Sequence, residues 1–254
     1  MAHALLYIIE DMEEHKQSNI KEQANISLSK AKEIILKSIP NEEIASIYVK
    51  GSYVQDELQP DSDVDVVVIL KSDEYLPAVY ELTEKFGDTT EPPFQIVAYT
   101  LEELQTGKWS LNRTKNSTTI SAFVKHLDQL PILYGAKPEG QLFTRTDVKD
   151  LMALMSAFEK SFLPDFEKGT FKFNEIVKQV MWLTERELRA RGIVPDYSWQ
   201  KLANSIEDEN HIIHSALMLR KQKDVSKEEQ GVFMEKLNNY LEGLKSKYQN
   251  TAKS

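Results

Sequence analysis

The sequence predicts an α+β fold: a small mixed β-sheet domain over residues 1–143, followed by an all-helical domain over residues 144–254. Two observations carry this. Short apolar runs rich in β-branched and aromatic residues recur in the first part, at Ile47–Val49, Val66–Leu70, Phe94–Thr100 and Ile132–Tyr134, bounded by Gly, Pro and Asp as buried strands are. From Thr146 onward such runs stop, and apolar residues recur at helical spacing instead. A chain of 254 residues is long enough to bury two modest cores.

In chain order, residues 1 to about 20 read as an amphipathic helix and Leu28–Ser38 as a second, with Ile34, Ile35 and Leu36 toward the core and Pro40 as the stop. Leu76–Phe86 sets Val79, Leu82 and Phe86 on one helical face, leaves Glu81 and Glu84 outside, and ends at Gly87. The third strand is entered through Pro92-Pro93, and Leu101–Leu104 begins a helical turn behind it. Residues 107–117 form a polar, basic loop. The second part reads as helices over Asp147–Phe162, Phe173–Arg191, Ser198–Ile206, Glu209–Lys221 and Lys227–Tyr248, the last opened by a capping box of Ser226 and Glu229. Ile176, Val180, Leu183 and Leu188 give the second of these its buried stripe, and Trp182 and Trp199 read as core.

Composition narrows the chemistry. A net charge of −9 supplies no electrostatic footprint for a phosphate backbone, so nucleic acid is not the expected substrate and a small or cationic acceptor fits better. There is no cysteine, which excludes a disulfide framework, a thiolate zinc site and a cysteine nucleophile. The apolar run Ala4–Ile9 is too short for a membrane span and is followed at once by Glu10, Asp11, Glu13 and Glu14. A soluble, unprocessed, cytoplasmic protein without membrane attachment is expected. His211 and His214 stand three apart on a helix with no third ligand near them in sequence, and read as structural.

Residues 47–70, IYVKGSYVQDELQPDSDVDVVVIL, concentrate the functional signal. Gly51 permits a tight turn and a close backbone approach to a ligand, and Ser52 adds a hydroxyl and an N–H, which together make a phosphate seat. Asp63 and Asp65, two apart on an extended chain, point to one side and can offer oxygen ligands to a hard divalent cation. Two acids entering an apolar strand are costly unless a cation compensates them. In the basic loop, Arg113 and Lys115 are candidates for triphosphate contact.

The spacing of Gly51-Ser52 and Asp63-Val64-Asp65 resembles the signature of the DNA polymerase β-type nucleotidyltransferase superfamily. Length and two-part layout are most similar to its antibiotic (aminoglycoside-type) nucleotidyltransferases. The resemblance implies an Mg2+-dependent transfer of a nucleoside monophosphate from a nucleoside triphosphate, ATP foremost, to a hydroxyl of a small, aminoglycoside-like acceptor. Asp63 and Asp65 would be catalytic metal ligands, and Gly51 and Ser52 would hold the terminal phosphates. Glu185 and Glu187 fall on the polar side of a helix, which reads first as a solvated face; in the resembling proteins that helix faces the active-site cleft, which would let them hold an acceptor amino group. A third acid commonly stands early in the third strand of such proteins, whereas this chain aligns Gln95 there. The amide predicts slow or absent transfer unless another acid, Glu91 or Glu185, reaches the site. It also keeps open a second reading, a nucleotide-binding regulatory or sensor module without transfer activity.

Overall fold

The computed structural model describes residues 2–59, 62–111, 120–222 and 224–248, with side chains from residue 18 onward. The chain divides into two units, Met1–Thr144 and Arg145–Ser254. No glycine or proline precedes Pro40, and a single helix, α1 (Ala2–Ser38), runs where the sequence suggests two. Its polar residues tie it to the rest of the unit: Ser27 Oγ donates to the Pro92 carbonyl (2.7 Å), and Asn25 Oδ1 accepts from Tyr53 Oη (2.6 Å).

The rest of the first unit is β1 (Ile44–Lys50), β2 (Val64–Leu70), α2 (Leu76–Phe86), β3 (Phe94–Thr100), α3 (Leu101–Thr106), α4 (Ile120–His126) and β4 (Ile132–Gly135). The strands form one mixed sheet in the order β3-β2-β1-β4. β1 is antiparallel to both β2 and β4, while the helical crossover through α2 brings β3 parallel to β2.

Alternation along the strands gives the sheet two faces. On one, Ile47 and Val49 of β1, Val64, Val66 and Val68 of β2, and Phe94, Ile96 and Ala98 of β3 pack with Leu28, Ala31 and Ile35 of α1 and with Leu76, Val79 and Leu82 of α2. Phe86, expected on that buried face, lies in the last turn of α2 and is 37% exposed. The opposite face carries Tyr48, Val67, Ile69, Val97 and Tyr99, all buried. Phe123 of α4 covers it, stacked on Tyr99 at 4.5 Å and edge-on to Tyr48 at 6.5 Å.

Among its described residues the second unit contains no strand. Its elements are α5 (Asp147–Ala157), a widened turn over Phe158–Phe162, α6 (Leu163–Glu167), α7 (Phe173–Ala190), α8 (Trp199–Asn204), α9 (Ile212–Arg220) and α10 (Lys227–Tyr248). The stripe of Ile176, Val180, Leu183 and Leu188 is buried in one core with Leu151, Ile213 and Leu237, and Trp182 meets Trp199 edge-to-face at 4.4 Å. Glu229 N–H donates to Ser226 Oγ (3.2 Å) and Ser226 N–H to Glu229 Oε2 (2.9 Å), which closes the expected capping box of α10. No helix among the described residues is long and apolar enough to cross a membrane.

Candidate active site

Register assembles the site at the end of the sheet where β1 finishes and β2 and β3 begin. Lys50 pairs with Asp65, and Asp65 pairs in turn with Gln95. Residues paired across neighbouring strands share a face, so these three side chains form a row across β1, β2 and β3. The row lies on the face opposite α1 and α2, directly beyond the buried row of Tyr48, Val67 and Val97. Asp63 is exposed just ahead of β2, and Gln95 is exposed.

Gly51 closes one side of this row. Its φ is +75°, in the left-handed region, and a Cβ there would stand 2.3 Å from Asp65 Oδ2. Both the turn and the proximity of the carboxylate therefore require glycine. Residues 51–53 make one tight helical turn, with Val54 N–H and Gln55 N–H donating to the Gly51 carbonyl (3.0 and 3.1 Å) and Glu57 N–H to the Ser52 carbonyl (2.9 Å). The loop is tied back to α1 by Tyr53 on Asn25 and by Lys21 Nζ on Asp56 Oδ1 (2.5 Å), a bond that raises the Lys21 pKa.

Asp65 has a side chain 15% exposed, and its Oδ1 lies 3.8 Å from Lys50 Nζ, which is 21% exposed. Nothing local in the sequence singles out Lys50. Alternation from Tyr48 puts it on the site face, but its pairing with Asp65 spans a long connection whose register cannot be counted from the turn. Among the described residues no three His, Asp or Glu side chains converge to hold a metal. Two carboxylates still suit Mg2+, which keeps several waters and is bound through one or two carboxylates plus substrate phosphates. Asp63 and Asp65 would hold such an ion, and bound there it would supply positive charge against the phosphates.

Arg113 and Lys115 lie outside the described residues. Glu91 is exposed, four residues before Gln95, in a segment bound to α1 through Lys30 Nζ on the Thr89 carbonyl and Ser27 on the Pro92 carbonyl. Glu185 and Glu187 belong to the second unit, where they are 3% and 8% exposed rather than on a solvated helix face. Glu185 pairs with Arg186 and Arg189 on its own helix. Glu187 accepts from Tyr240 Oη (2.7 Å) and lies 3.5 Å from His211 Nε2 and 3.7 Å from Lys247 Nζ. Burial, the largest influence, pushes the Glu187 pKa up, but the bonds to His211 and Tyr240 and the charges of His211 and Lys247 outweigh it and hold the carboxyl below its ordinary value. His211 Nδ1 also accepts Ile213 N–H (3.1 Å), capping α9.

Comparison with known proteins finds one family match and one structural likeness. Residues 28–121, which span the packed half of α1 through the start of α4 and include Gly51, Ser52, Asp63, Asp65 and Gln95, match the family described as nucleotidyltransferase domain. Among solved structures the chain is similar to spectinomycin adenyltransferase AAD(9) from Enterococcus faecialis, crystallised with ATP and spectinomycin. That likeness has a TM-score of 0.55 at 17% sequence identity and covers 86% of this chain and 99% of the other. No curated protein matches the chain. The family match covers the part of the chain that carries the Gly51-Ser52 and Asp63-Val64-Asp65 motif, and the solved structure shares the fold, a mixed sheet followed by helices.

Proposed function

We propose that the protein is an Mg2+-dependent nucleotidyltransferase that moves a nucleoside monophosphate from ATP to a hydroxyl of a small, aminoglycoside-like acceptor. The observation that carries this reading is the packing of the Gly51 turn against Asp65, because it sets a phosphate-accepting backbone and a cation-binding carboxylate side by side. Asp63 and Asp65 hold the metal, and Gly51 and Ser52 seat the terminal phosphates. Nucleotidyl transfer depends largely on positioning and charge neutralisation, which such a site supplies without a covalent intermediate on the protein. The donor and acceptor classes draw on the likeness to the adenyltransferase crystallised with ATP and spectinomycin.

Gln95 adjoins Asp65 and cannot take a proton from an attacking hydroxyl near neutral pH. General-base help is worth on the order of 10²- to 10⁴-fold, so transfer is slow unless another acid contributes. The same pairing favours a second reading, a nucleotide-binding sensor that retains the seat and the metal without transfer. Incubation with each α-labelled nucleoside triphosphate, Mg2+ and a panel of aminoglycosides and spectinomycin separates the two. The enzyme reading expects a labelled acceptor, and binding of the triphosphate with no labelled product under any condition would leave only the sensor.

A further inference from the structure

The cross-strand row contains a cation, and its position bears on how many metal ions the site takes. Lys50 is the register partner of Asp65, its Nζ is 3.8 Å from Asp65 Oδ1, and about four-fifths of its side chain is out of water. Such an ammonium sits where desolvation makes its charge felt by the neighbouring carboxylate. The other side of Asp65 is the acid-free position Gln95. Relative to a site of three carboxylates, the amide and the ammonium together withdraw two negative charges, which is the charge of one divalent ion.

On the basis of the nucleotidyltransferase reading, we propose that Lys50 takes the electrostatic place of a second divalent cation, so that this site holds a single metal ion, the one that arrives with the triphosphate. Sites that clamp two ions about 4 Å apart share carboxylates between them. Here the Lys50 ammonium already stands 3.8 Å from Asp65 Oδ1, where its positive charge would oppose a second ion on that carboxylate. The Gly51 turn packs closely on the other oxygen, since a Cβ there would stand 2.3 Å from Oδ2. Lys50 thus compensates Asp65 when no nucleotide is bound and limits the site to one ion when it is.

The test is a count of bound Mn2+ by electron paramagnetic resonance on the full chain with α,β-methylene-ATP, read independently of turnover. The parent is expected to hold one Mn2+ per chain beside the nucleotide, and the Lys50→Arg variant, which keeps the positive charge, the same. The double variant Lys50→Met/Gln95→Glu is expected to hold two. Two ions in the parent, with nucleotide bound, would overturn the role of Lys50 while leaving the nucleotidyltransferase reading intact. One ion in a folded, nucleotide-binding double variant would do the same. Failure of the parent to bind Mn2+ with the nucleotide would overturn both readings together.

Discussion

Replacing Gly51 with alanine tests the geometry on which the site is built. The substitution meets two obstacles that separate cleanly. An L-residue in the left-handed region costs about 1–2 kcal/mol, and Gly51 has φ +75°. In addition, the new Cβ would stand 2.3 Å from Asp65 Oδ2, a separation real Cβ atoms do not tolerate. Rotating Asp65 away from a favoured rotamer costs about 0.5–1.5 kcal/mol more. Gly140 supplies the control, since its φ is +90° but nothing lies within 4 Å of a Cβ built there. Gly140→Ala should therefore lose about 1–2 kcal/mol from strain alone and Gly51→Ala about 2–3 kcal/mol. At about 2–4 °C per kcal/mol, thermal melting resolves the difference. Adding Asp65→Ala to Gly51→Ala removes the clashing oxygen, so the double variant should be more stable than the single effects predict by about 1 kcal/mol. Calorimetric titration of MgATP should show Gly51→Ala weakened by about tenfold or more, since Asp65 has been displaced. Equal losses at Gly51 and Gly140, with MgATP binding of Gly51→Ala unchanged, would mean that the Gly51 turn does not position Asp65.

Three further outcomes follow from the same geometry. Asp63→Asn and Asp65→Asn should both abolish Mg2+-dependent triphosphate binding in calorimetry. In denaturation Asp65→Asn should lose about 0.5–1 kcal/mol with its Lys50 pair. Gln95→Glu places a carboxylate beside Asp65 and should strengthen Mn2+ binding and raise transfer by about 10²-fold or more; no change in either would mean that Gln95 is not at the site. In the helical unit, Glu187 has a depressed folded-state pKa, so its charge stabilises the fold at neutral pH and that contribution is lost as pH falls below the ordinary value of 4.5 and through the folded value. The melting gap between the parent and Glu187→Gln, about 1 kcal/mol at pH 7, should close on acidification, and a gap independent of pH would contradict the network with Tyr240, His211 and Lys247.

Patterns that depend on one stretch of chain were legible in the sequence. The runs Val66–Leu70 and Phe94–Thr100 are strands because their β-branched and aromatic residues are buried on both faces, and Ser226 caps α10 through a residue three positions away. Patterns that depend on distant partners were not. The bonds of Ser27 to Pro92 and of Asn25 to Tyr53 join α1 to segments far along the chain. Lys50 looks like a strand-end lysine until register sets it beside Asp65. Glu185 and Glu187 look solvated in a helical-wheel reading, but arginines on α7 and Tyr240 and Lys247 of α10 supply the counter-charges and hydrogen bonds that let them be buried.

The central claim is that Asp63, Asp65 and the Gly51-Ser52 turn perform nucleotidyl rather than phosphoryl transfer. Parallel reactions with ATP labelled at the α or the γ phosphate, with Mg2+ and the acceptor panel, measure it directly. The α label should move to the acceptor while the γ label leaves in pyrophosphate, with both lost in Asp65→Asn. Transfer of γ label to the acceptor, or α-label transfer undiminished in Asp65→Asn, would contradict it.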